Sequence, residues 1–165
     1  MKTRFAIRYA AAGLLAVAAA MTFSPQAQAG KPAAIVATVS GGGTANMDDG
    51  EGPSLFGMNA QLLSDGSARG FFECVDKQGD TYPGNFFGQV TSWSLNANGE
   101  ITFSGLGKNV GFPPTFFFHL IDNIPFTVTI QSFGGPGVGH WTLDVPDFGG
   151  VVCFETVTSG QIAIH

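Results

Sequence analysis

Phe126-Thr127-Val128-Thr129-Ile130-Gln131 is the stretch that decides the fold class. Its apolar residues recur at every second position, and so do its polar ones. Period two is the signature of a strand with one buried and one solvated face. The same alternation returns in His140-Trp141-Thr142-Leu143-Asp144-Val145, in Ile101–Ser104 and in Gln161–His165. No window spaces its apolar residues three and four apart as a helix requires. Working outward, turn residues bound each run. Ser64-Asp65-Gly66-Ser67 joins a strand near Ser54–Leu63 to one near Ala68–Val75, with Asp-Gly supplying the backbone angles of a tight hairpin. Gln78-Gly79-Asp80 and Asn98-Gly99-Glu100 mark two more turns.

Further strands are expected near Ala33–Val39, Asn85–Leu95, Ile101–Leu106, Thr115–Ile121, Phe126–Phe133, His140–Val145, Val151–Thr156 and Gln161–Ile164. About ten short strands with tight turns predict one all-β domain, an antiparallel β-sandwich, with a closed β-barrel as the alternative. Gly41-Gly42-Gly43 and the stretch from Gly134 to Gly139 read as surface loops. Neither carries the glycine spacing of a phosphate loop.

Residues 1–29 read as a signal peptide and 30–165 as the all-β domain. Lys2, Arg4 and Arg8 make a basic start, Tyr9 to Phe23 is apolar, and Ala27-Gln28-Ala29 is a small-x-small cleavage site. The apolar run, about 15 residues, is short of the roughly 20 that span a bilayer. Export to the periplasm or beyond the cell follows. From Gly30 on, the bases are Lys31, Arg69, Lys77 and Lys108, against all twelve acids, so this part carries −8. Four scattered bases exclude a phosphate-backbone ligand such as nucleic acid. No stable membrane insertion is expected.

Ser40-Gly41-Gly42-Gly43, Phe56-Gly57-Met58-Asn59-Ala60, Asp65-Gly66-Ser67, Gly70 and Asp76 together resemble a pattern of exported bacterial β-domains of unknown activity, the post-COAP-1 domain among them. The resemblance spans Ser40–Asp76. It implies an exported β-module and carries over no catalytic residue.

Cys74 and Cys153 are the only cysteines, and both fall in expected strands. In an oxidising compartment they are expected to form one disulfide. Three histidines, His119, His140 and His165, sit on separate strands. With Phe117, His119 and His140 are the candidates for a ligand-binding pocket. Asp48, Asp49 and Glu51 form an acidic, glycine-flanked loop, a weak candidate for calcium. Its spacing does not supply the full oxygen set, so no metal and no cofactor are expected. Neither HExxH nor GxSxG occurs, and no catalytic residue is nominated.

The Phe pairs 71–72 and 86–87 and the triplet 116–118 must send some rings away from the main core, because neighbouring strand residues face opposite ways. These features favour a non-enzymatic binding or structural module whose partner is a protein, a glycan or a small apolar ligand. A barrel binding an apolar ligand and a small secreted hydrolase are the alternatives. Catalysis stays open, with the balance against it.

Overall fold

In the computed structural model, each alternating segment is a strand with its apolar face turned inward. The structure describes residues 31–48, 50, 52–76, 84–111, 120–131 and 137–165. Among the described residues there are eight strands: β1 (Ile35–Met47), β2 (Pro53–Leu63), β3 (Ser67–Asp76), β4 (Gly84–Leu95), β5 (Ile101–Gly111), β6 (Leu120–Gln131), β7 (His140–Val145) and β8 (Gly150–Ile164). Each pairs antiparallel with the next, and β8 pairs with β1, so the sheet closes into a barrel. The Asp65-Gly66 turn joins β2 to β3 as expected, with Asp65 accepting bonds from the amide and hydroxyl of Ser67.

The all-β expectation holds, but the sandwich gives way to the barrel. The reason lies in the glycine triplet. Gly41, Gly42 and Gly43 are not a loop but the middle of β1, opposite Gly160–Ile162 of β8 and Phe56–Met58 of β2. At this seam Gly43 (φ 154°) faces Gly160 (φ 79°). A Cβ on Gly160 would lie 1.9 Å from the Gly42 carbonyl oxygen, and one on Gly43 2.0 Å from that of Ser159. Only glycine lets the first and last strands approach this closely.

The two expected strands Val151–Thr156 and Gln161–Ile164 are one bent strand, β8. Register breaks between several strand pairs supply the local bends that closure demands. Most of the expected strand Thr115–Ile121 lies outside the described residues, as do the expected Gln78-Gly79-Asp80 turn, the expected signal segment Met1–Ala29 and the first half of the second glycine-rich stretch. Phe133 lies outside them as well.

Side chains fill the middle of the barrel. Phe72, Phe103, Phe126 and Trp141 are each 2% exposed or less. Phe72 meets Trp141, and Phe86 meets Phe126, edge to face at 5.2 Å between ring centres. Such contacts add to area burial. Phe126 packs over Gly88, where a Cβ would come within 2.5 Å of the ring. The paired phenylalanines split as strand geometry requires. Phe72 and Phe86 point in, Phe71 is exposed and Phe87 is half-buried. The outer face carries rows of hydroxyls, with Thr102 beside Thr129 and Ser104 beside Thr127. No helix among the described residues is long and apolar enough to cross a membrane.

Candidate functional site

One end of the barrel interior departs from the aromatic filling. It is the end where β1 leads into β2 and β7 into β8. On β2, the inward positions run Met58, Phe56, Ser54; on β3, Ala68, Phe72, Cys74. On β8, Val157, Glu155 and Cys153 continue the inward row. A register break beside Leu143 inserts Val152 as an extra residue in β8, just before Cys153. A bulge of this kind re-aims the side chains next to it. β3 and β8 are not neighbours, so Cys74 and Cys153 meet across the interior.

The two cysteines lie 4.2 Å apart. Both are free thiols in this structure, so the expected disulfide is not formed here, although its two partners lie side by side. Cys74 is buried, and Cys153 is only half-buried. The Cys74 thiol also donates to Glu155 Oε1 at 3.8 Å. Ser54 Oγ donates to Glu155 Oε2. Ser54 and Glu155 are the buried polar residues of the described chain, at 2% and 1% exposure.

Charge follows from burial. Glu155 is pushed up to about 7, chiefly because burial penalises its charged form, and Asp76 adds like-charge repulsion. The bonds from Ser54 and Cys74 pull in the other direction without prevailing. Cys74 is raised well above the usual thiol value by its hydrogen bond with Cys153, by burial, and by the nearby acids Glu155 and Asp76. The end of the barrel therefore holds a carboxyl and a thiol, Glu155 and Cys74, that both keep their protons more tightly than in water. The ligand-type atoms of Cys74, Cys153 and Glu155 all lie within 4.8 Å of one another. That span fits one soft ion such as zinc, with two thiolates and a carboxylate as donors. Thiol oxidation would use the same sulfurs.

The other sequence candidates are placed elsewhere. His140 lies on the outer face of β7, its Nε2 2.8 Å from Asp48 Oδ2. Thr156 Oγ1 donates to Asp48 Oδ1 at 2.8 Å. These bonds tie the β1–β2 turn to β7 and β8, and they hold the Asp48 carboxyl below its ordinary value. Asp48 is thus engaged by protein partners on both oxygens. Asp49, Glu51, Phe117 and His119 lie outside the described residues.

A shallow groove crosses the outer face of β3 and β4, lined by Gly70, Phe71, Glu73, Phe87, Gly88 and Gln89. The Lys108 ammonium sits 5.5 Å from the centre of the Phe87 ring. Sequence reasoning singled out Cys74 and Cys153 but missed Glu155 and Ser54. The signal for Glu155 was its parity, two residues from Cys153 and two from Val157 on one strand. Comparison with family models, with characterised proteins and with solved structures gave no match.

Proposed function

We propose that this chain is an exported, non-enzymatic β-barrel module that works through its outer surface, with Cys74 and Cys153 joined as a disulfide after export. The observation that carries this reading is the filled interior. Trp141, Phe72, Phe103 and Phe126 occupy the volume in which a ligand-carrying barrel holds its ligand. Contact with partners then falls to the outside. There the groove of Phe71, Phe87, Glu73 and Gln89 offers flat aromatic faces beside hydrogen-bonding groups, a combination suited to a protein or a glycan. The polar outer rows of Thr and Ser favour an aqueous setting over a lipid one. The His–carboxylate pair His140–Asp48 faces outward and is bonded to Thr156, which gives no support to the hydrolase alternative.

The basic start, apolar run and Ala27-Gln28-Ala29 site support export, and so does the resemblance over Ser40–Asp76, which folds as β1 to β3. The test is native mass spectrometry of the exported protein followed by a non-reducing peptide map. The expected result is a chain beginning at Gly30, free of apolar ligand, with Cys74 and Cys153 linked. A retained Met1–Ala29 segment, or a stoichiometric lipid-like ligand released on unfolding, would contradict it.

A further inference from the structure

The thiol pair has an unequal geometry, and the inequality assigns an order of events. Building on the proposed pairing, we infer that Cys153 is a modification site for small disulfides, that Cys74 is the thiol that resolves the adduct, and that Glu155 receives the Cys74 proton. Three observations carry this. Cys153 is half-buried on β8 beside the bulge, whereas Cys74 is 2% exposed. An oxidant arriving from solvent therefore reaches Cys153 first. The two cysteines are 4.2 Å apart, so side-chain rotation that brings the sulfurs about 2 Å closer completes a bond. Glu155 Oε1 already accepts from the Cys74 thiol, and Ser54 holds the other carboxylate oxygen in place.

The chemistry balances in two exchanges. The Cys153 thiolate attacks one sulfur of a disulfide R–S–S–R. The oxidant's S–S bond breaks, one R–S⁻ leaves and takes up the Cys153 proton, and a Cys153–S–S–R mixed disulfide forms. Cys74 then passes its proton to ionised Glu155 and attacks Cys153 Sγ. The Cys153–S–R bond breaks, the Cys74–Cys153 bond forms, and the second R–S⁻ leaves, collecting the proton from Glu155. Two electrons pass from the protein thiols to the oxidant, which ends as two thiols. The product is a covalent link between β3 and β8, two strands that share no hydrogen bonds.

The experiment treats the reduced, folded protein with glutathione disulfide and follows intact mass over time. Wild type is expected to lose two hydrogens, with a transient single adduct mapped to Cys153. Cys74→Ser is expected to stop at that adduct. Cys153→Ser is expected to react about tenfold more slowly or less, because its remaining thiol is shielded. Glu155→Gln is expected to form the adduct at the wild-type rate and to close it about tenfold more slowly, a split that a general loosening of the fold would not produce. Glu155→Asp should restore part of the closing rate. An adduct mapped to Cys74, or equal closing rates in wild type and Glu155→Gln, would overturn the assignment. If exported material carries the Cys74–Cys153 bond while the adduct appears on Cys74, the pairing stands and this route falls. If the exported protein holds two free thiols while the adduct forms on Cys153 and closes, the route stands and the pairing after export falls.

Discussion

The middle of the barrel and its acidic end are built on the same inward positions, one step apart along each strand. Phe56 gives way to Ser54, Phe72 to Cys74, and Val157 to Glu155 and Cys153. In the middle, burial removes apolar surface from water and stabilises the fold. At the end, burial of a carboxyl costs stability unless the group is protonated or hydrogen-bonded. The contrast separates apolar residues whose burial holds the barrel together from polar residues whose burial is offset by their bonds to one another.

The sharpest way to break that contrast is to empty the middle. Phe72→Ala removes a ring with 0% exposure that touches Trp141, Phe86 and Phe126. The expected loss is about 3–5 kcal/mol in urea unfolding, large enough to compromise folding. Conservative change at the acidic end, Cys74→Ser, should cost much less in the reduced protein. Filling rather than emptying gives a smaller effect. Gly88→Ala drives a methyl into the Phe126 ring, and a loss of about 1–3 kcal/mol is expected from the same measurement. Smallest is the outer face. Asp48→Asn removes the charge from a half-exposed pairing with His140 and leaves one oxygen to accept from Thr156. A change within about 1 kcal/mol is expected, shrinking further in high salt.

Period-two alternation made the strands legible wherever one face is buried, as in Phe126–Gln131 and His140–Val145. It failed at the seam, where glycine has no side chain to show a face. The triplet Gly41–Gly43 is indistinguishable in sequence from a flexible loop, yet it closes the barrel because its partner on β8 is also glycine. Alternation by hydropathy alone is also a poor guide at the acidic end. By hydropathy Phe154 belongs inside and Glu155 outside, whereas Phe154 is 37% exposed and Glu155 1%. A strand's parity is set by its neighbours in register, here Cys153 and Val157, and a single polar residue does not reverse it. The meeting of Cys74 with Cys153 was foreseeable from the cysteine count. The arrival of Glu155 and Ser54 beside them depends on barrel closure, which no local pattern encodes.

The measurement that bears most directly on the acidic end is unfolding free energy against pH, from 4 to 8, on reduced wild type and Glu155→Gln. Glu155 titrates near 7 when folded and near its ordinary 4.5 when unfolded. The folded state therefore holds the proton more tightly. Its contribution is fully present below about 4.5, declines as pH rises, and is lost above about 7. Linkage puts the fall at about 3 kcal/mol, an order-of-magnitude figure. Groups such as Asp48, whose values are lowered, act in the opposite sense at more acid pH and cancel in the difference between the two proteins. The expected result is a wild-type curve that declines from pH 4.5 to 7.5 and a Glu155→Gln curve without that decline, lying above wild type at pH 8. Parallel curves for the two proteins across this range would contradict a buried, proton-holding Glu155.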